Sequence, residues 1–313
     1  GMTYQLLLNA DQKSYIQDSF QIITNILNTV LCVILIKAGA DIHTVKLVAA
    51  AVFVLRPLLQ MLYVRKHYKL NKKLVLTEEP IKQKWNGFAQ HLAAVVCSNT
   101  DITILSFFSS LANVSIYSVY YSITNGVTSM IMTAANGLES YFGNMIANNE
   151  TDTLKKSFRT IEWLIHSLVT LIFSIAAIMI VPFVSVYTRG VKDADYIAPV
   201  FALILVLAYA VQCLRIPYFR VIKAAGHFKQ TQNGSFISMV INIVVSVVLV
   251  FKFGLVGIAI GTLVAMLYQT VYFAWYLRSH IIDHPFFSFI KYLITDAVIF
   301  GLSYFLTRKM VYL

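Results

Sequence analysis

RVIKAAGHFKQTQNGSFISMVINIVVSVVLVFKFGLVGIAIGTLVA, Arg220–Ala265, decides the fold class. It opens on a basic entry, Arg220, Lys223 and Lys229, and then carries no charge from Gln230 to Phe251. Lys252 and Gly254 mark a break, and a second charge-free run extends from Phe253 to Leu277. Each run supplies the about 20 mostly apolar residues that take a helix across a bilayer. The apolar character is continuous, whereas a membrane β-barrel alternates in segments of about ten. Further charge-free windows lie at Ser19–Ile36, Trp163–Thr188 and Tyr196–Leu214, and Ile102–Leu138 is longer than one span needs.

The whole chain agrees with that stretch. It is 58% hydrophobic and only 12% charged, with a mean hydropathy of +0.71. A soluble chain carries about 25% charged residues. The sequence predicts an all-α integral membrane protein of about nine helices, at about 17–37, 44–64, 86–110, 114–136, 161–187, 196–216, 231–251, 254–277 and 289–307.

The net charge of +11 is unevenly placed. Arg65, Lys66, Lys69, Lys72, Lys73, Lys82 and Lys84 crowd one loop; Lys155, Lys156 and Arg159 another; Arg215, Arg220, Lys223 and Lys229 a third. Short loops rich in Lys and Arg stay cytoplasmic. With nine spans these loops share one side, so topology accounts for the charge without a nucleic-acid partner. Cys32, Cys97 and Cys213 have no paired spacing, and neither a disulfide framework nor a metal site follows. No G-x-x-x-x-G-K-[ST] loop occurs, which leaves ATP hydrolysis unsupported.

The chain also repeats itself. At a constant step of 214, Tyr4 meets Tyr218, Ala10 meets Ala224 and Asn28 meets Asn242. After one gap, YVRKHY at Tyr63–Tyr68 meets YLRSHI at Tyr276–Ile281. The order linker, helix, turn, helix, basic exit recurs in both copies, as in transporters built from two similar bundles. The expected organisation is the last two helices of an N-terminal lobe at 1–70, a basic cytoplasmic linker at 71–85, a six-helix C-terminal lobe at 86–281 and an additional helix at 282–313. Four further helices are expected before Thr3, and the opening Gly-Met resembles a cloning remnant.

Two stretches, NTDITILSFFSSLANVSIYSVYYSI and the opening quotation, resemble the polysaccharide-transporter branch of the multidrug, oligosaccharidyl-lipid and polysaccharide exporter superfamily, which includes O-antigen and capsule-repeat flippases. The resemblance implies two six-helix lobes around a central cavity and a non-enzymatic transporter of the bacterial cytoplasmic membrane. The implied substrate is an oligosaccharide on an undecaprenyl diphosphate carrier. Other polysaccharide-assembly membrane proteins are the implied partners, and a coupling proton or sodium ion stands in place of any cofactor. A drug or metabolite antiporter of the same superfamily is the alternative. A polysaccharide-polymerising membrane enzyme is a further one, although the external loops are short.

Ionisable groups within a span are costly and mark cavities or partners. Asp101 is the first candidate, as a coupling-cation or proton site with Asn99 or Asn125 as neutral oxygen ligands. Helical spacing places His91, Ala94, Ser98 and Asp101 on one lumen-facing stripe, with Asn99 about 160° away. The competing reading is a polar contact between helices. Arg56, followed by a kinking Pro57, is a candidate diphosphate ligand, since guanidinium meets phosphate through two hydrogen bonds; a structural pair with Asp101 or Asp296 is the alternative. Arg215 and Arg220 repeat that chemistry at the cytoplasmic entrance, where positive-inside anchoring competes. Tyr117, Tyr120 and Tyr121 suit either sugar stacking or an interfacial belt. Glu162 and His166 read as a membrane-edge pair or a proton relay, Asp296 as a packing contact, and Asn136–Phe158 as an interfacial connection.

Overall fold

We describe the chain from a computed structural model covering residues 2–68, 84–283 and 285–311. Lys69, Lys72, Lys73 and Lys82 of the basic loop lie outside these described residues. The elements are all helical: α1 (Met2–Ala10), α2 (Ser14–Lys37), α3 (Ile42–His67), α4 (Lys84–Phe108), α5 (Leu111–Ala134), α6 (Leu138–Ala147), α7 (Thr151–Tyr187), α8 (Pro199–Leu214), α9 (Ile216–Ala224), α10 (Phe228–Phe253), α11 (Leu255–His280) and α12 (Phe286–Val311). They form two compact units, Gly1–Pro80 and Ile81–Leu313.

Seven helical stretches are long and apolar enough to cross a membrane, and an eighth is reached if the bent α4 counts as one span. The nine spans expected from sequence are therefore not all reached by length and composition. The helix α5 falls short because Asn113, Ser115, Ser118, Ser122, Thr124, Asn125 and Thr128 dilute its apolar content. In α4 the axis turns by 40° between Gln90–Val96 and Asn99–Phe108.

The side chains are sorted as a membrane solvent demands. On α7, Leu171, Ile175, Met179 and Phe183 are exposed at intervals of four, while Glu162, His166, Thr170 and Ser174 are buried at the same interval. Residues four apart share a helix face. A contiguous apolar exterior of this kind is stable only against lipid or a partner. The chain is a multi-pass membrane protein.

In the first unit, α2 and α3 form a hairpin through Gly39, whose φ of +78° suits a residue without Cβ. Asp41 caps α3 by accepting from the His43 amide at 3.3 Å. Lys13 and Asp11 pair at 2.6 Å, and Tyr68 donates to the same Asp11 carboxylate. Arg56 sits half-buried on α3, which continues through Pro57.

The second unit is built on α7 and α8. Tyr117, Tyr120, Phe173, Phe201 and Leu205 form its central cluster. A second cluster of Phe142, Phe158, Tyr218, Phe273 and Phe289 joins α6, α7, α9, α11 and α12. Pro217, unable to donate an amide and crowding the Cys213 carbonyl, separates α9 from α8 at Arg215. The Asn136–Phe158 segment becomes α6 plus the start of α7, with Phe142 and Met145 buried.

Candidate functional site

The helices α10 and α11 approach closely because α11 presents glycine. A Cβ on Gly261 would stand 2.1 Å from Ser246 Oγ, and one on Gly257 would stand 2.4 Å from the Leu249 carbonyl oxygen. This contact buries the polar stripe Ser238, Asn242 and Ser246 of α10 against α11. The sequence therefore uses small residues to set two helix backbones close enough for side chains to bridge them.

Asp101 of α4 enters this seam and is 3% exposed. Its Oδ2 accepts from Tyr117 Oη of α5 at 2.8 Å and from Thr262 Oγ1 of α11 at 2.8 Å. Asn242 Nδ2 of α10 donates to Thr262 Oγ1 at 3.2 Å. Four helices thus meet at one carboxylate. Three buried oxygens along the seam have no hydrogen-bond partner among the described residues: Asp101 Oδ1, Asn242 Oδ1 and Ser246 Oγ. Leaving buried acceptors unsatisfied costs about 1–3 kcal/mol each, and more for a charged group. A carboxylate, an amide carbonyl and hydroxyls are the donor set of a hard cation. By chemical type these oxygens suit such an ion, and Asp101 equally suits a proton.

The expected stripe is rearranged. His91 and Ala94 are exposed on the other side of the bend in α4, and the Ser98 side chain lies outside the described residues. Asn99 is exposed and turned back on its own helix, donating to the Val95 carbonyl at 2.8 Å. Asn125 is exposed on α5. Neither asparagine is brought to Asp101; Tyr117 and Thr262 bond to it directly, and Asn242 stands behind Thr262. Tyr117 is 1% exposed, inside the protein rather than in an interfacial belt, and stacks on the half-buried Tyr121 at 5.8 Å. Tyr120 is also buried and donates to the Tyr196 carbonyl at 2.8 Å. The signal for Asn242 was present in the repeat, where it faces Asn28, but nothing in that match pointed to Asp101.

A second polar constellation lies among α4, α8, α9, α10 and α11. Gln90, Gln212, Arg215, Ser235, Ser238 and Gln269 line a cavity of about 90 Å³. Gln90 Nε2 donates to Thr231 Oγ1 at 3.2 Å, and Gln269 Nε2 to Ser235 Oγ at 3.4 Å. Arg215 lies 3.9 Å from the Met266 sulfur and 5.7 Å from the Phe219 ring centre. Arg220 does not join it. Arg220 and Lys223 both bind Glu139 Oε2, at 3.2 and 3.1 Å, tying α9 to α6.

A family model described as MatE matches residues 88–248, just over half of the chain. The match spans α4 to the greater part of α10 and so contains Asp101, Asn242 and Ser246. No curated protein and no solved structure matches.

Proposed function

The chain belongs to the MatE family, whose members are transporters rather than enzymes, and from that premise we propose that it is a flippase for lipid-linked oligosaccharide. The substrate would be an oligosaccharide repeat on undecaprenyl diphosphate, moved across a bacterial cytoplasmic membrane for surface polysaccharide assembly. The observation that carries this reading is the polar cavity beside Arg215. Three glutamines and two serines offer the amide and hydroxyl groups that hydrogen-bond sugar, next to one guanidinium suited to phosphate. At about 90 Å³ the enclosed part is well below the roughly 300–1,000 Å³ of pockets that enclose a drug-sized ligand, so it takes only a fragment of the head group.

The Asp101 site supplies the coupling in this proposal. Its unpartnered oxygens would hold a sodium ion or a proton, and Asp101 links α4, α5 and α11 through its two hydrogen bonds. Occupation of the site biases the packing of these helices only if the ion binds one arrangement better than another. Arg56, Arg215 and Arg220 remain the basic residues proposed for the diphosphate, with Arg215 favoured by its cavity and Arg220 disfavoured by Glu139.

The test is reconstitution of the chain into liposomes with a fluorescent lipid-linked oligosaccharide. Flipping is read by the access of an external glycosidase. The expected result is faster exposure than in protein-free vesicles, with strong loss in Arg215→Gln. No acceleration together with efflux of a cationic drug sinks the flippase reading and favours the antiporter. Transfer of sugar by the purified protein favours the polymerising enzyme.

A further inference from the structure

The groove between α7 and α12 is separate from Asp101 and from the cavity beside Arg215. Its volume is about 410 Å³, and Trp163, Ser167, Leu171, Lys291, Thr295 and Ile299 line its walls. The floor is polar and held by the protein itself. Glu162 and His166, predicted as edge and interfacial groups, are 0% and 2% exposed. His166 Nδ1 lies 2.5 Å from Asp296 Oδ2, and Thr170 Oγ1 donates to Asp296 Oδ1 at 2.8 Å. Tyr218 Oη donates to Glu162 Oε1 at 2.7 Å. Asp296 is thus engaged on both oxygens and joins α12 to α7.

The walls are graded along the membrane normal. His166 meets Tyr292 and Asp296, and Thr170 meets Asp296, so α7 and α12 run parallel with their starts at one end. Basic residues near those starts place that end at the cytoplasm. Arg159 precedes Trp163 by four residues and His166 by seven, so it stands on the groove face of α7, one turn nearer water. On α12, Lys291, Thr295 and Ile299 follow at intervals of four. Going inward, Arg159 comes first, then Trp163 and Lys291, then the hydroxyls of Ser167 and Thr295, then Leu171 and Ile299. All seven are exposed. At 1.5 Å per residue, Arg159 to Leu171 covers about 18 Å. One leaflet, half of the hydrocarbon core, is about 15 Å thick.

We infer that this groove binds one anionic phospholipid of the cytoplasmic leaflet. The Arg159 guanidinium offers two parallel hydrogen bonds to a phosphate, and the long Lys291 side chain reaches toward the same level, as basic side chains do at membrane edges. Neither cation has an ion-pair partner among the described residues. Lys155 and Lys156 flank Arg159 and add positive potential. Trp163 sits at headgroup level, where amphipathic rings collect. Ser167 and Thr295 stand at the depth of the acyl esters, and Leu171 and Ile299 border one chain. The positive mouth selects an anionic headgroup over a zwitterionic one, as basic pockets between helices do on this side of a membrane. The lipid fills the outer seam where α12 meets α7.

Trp163 supplies a local reporter. The chain has three tryptophans, and Trp85 and Trp275 are exposed, so Trp85→Phe with Trp275→Phe leaves Trp163 alone to fluoresce. The whole chain is placed in phosphatidylcholine bilayers. Phosphatidylglycerol or phosphatidylcholine, brominated on the acyl chains to quench tryptophan on contact, is then titrated in. The expected result is half-quenching at a several-fold lower fraction of the brominated anionic lipid. Each cation near the membrane surface is worth about fivefold in that preference. Arg159→Gln with Lys291→Gln should therefore lose it, and both positions are exposed, where glutamine is tolerated. Lys229→Gln, exposed at the start of α10, should leave it unchanged. Equal quenching by the two lipids in the parent, or an undiminished preference in the double variant, overturns the inference. Quenching by neither lipid places a protein against Trp163 and overturns it too. So does relief of quenching by undecaprenyl phosphate but not by unlabelled phosphatidylglycerol, which gives the groove to the carrier lipid. None of these readouts depends on what the chain transports.

Discussion

Asp101 has two oxygens in different situations. Oδ2 accepts two hydrogen bonds at 2.8 Å, while Oδ1 accepts none among the described residues. Asp101→Asn keeps an oxygen for Tyr117 and Thr262 and removes the charge that a cation requires. Taking sodium as the ion, the wild-type chain should gain thermal stability in sodium over choline buffer, about 2.7 kcal/mol at a hundred times the dissociation constant. The variant should gain nothing. Equal sodium stabilisation of both proteins would remove Asp101 from the cation site. Asp101 was legible because it is an ionisable group in a charge-free run. Its partners were not. Thr100, Thr103, Ser106, Ser118, Ser122, Thr124 and Thr128 all donate to the carbonyl four residues back, as hydroxyls in membrane helices commonly do. In the one-dimensional chain nothing separates these from Thr262, which also reaches across to another helix.

At the level of elements the repeat is more regular than the identities that revealed it. Shifted by 214, Met2–Ala10 of α1 falls on Ile216–Ala224 of α9, and the start of α2 falls on the start of α10. Shifted by 213, both ends of α3 fall on those of α11. Tyr63 stacks on His67 at 4.1 Å, and Tyr276 stacks on His280 at 4.4 Å. The short helices α1 and α9 were read as linkers, since nine residues with one polar face carry too weak a pattern to stand out beside spans. Chemistry differs between the copies: Asn28 and Cys32 correspond to Asn242 and Ser246, but Ala49 stands where Thr262 does. The α10–α11 seam gives a prediction of its own. Gly261→Ala places Cβ 2.1 Å from Ser246 Oγ, 2.8 Å from its amide nitrogen and 3.1 Å from its Cα. It should destabilise by about 1–3 kcal/mol, as overpacked contacts do. Ser246→Ala should not rescue it, because the backbone atoms stay. Full rescue, measured by thermal unfolding, would show that the two backbones separate readily and that the seam does not set the site.

For the whole molecule, the membrane solvent was legible from composition, and the sides of the membrane follow from charge. At about 1.5 Å per residue α7 is about 55 Å long, well beyond the about 30 Å of hydrocarbon. Its excess lies at the start, where Lys155, Lys156 and Arg159 precede the buried Glu162. Basic residues near a span end favour the cytoplasm. The link between α6 and α7 should therefore be inside, and the link between α7 and α8 outside. Both Asn148 and Val191 are exposed and suit cysteine replacement once Cys32, Cys97 and Cys213 are removed. A membrane-impermeant maleimide should label Val191→Cys in intact cells and Asn148→Cys only after permeabilisation. The reverse pattern inverts the topology and places the basic ends outside, where the positive charge could not be explained by membrane insertion. Equal labelling of both positions from outside would mean that α7 does not cross, despite Leu171, Ile175, Met179 and Phe183 presenting an apolar face along its length.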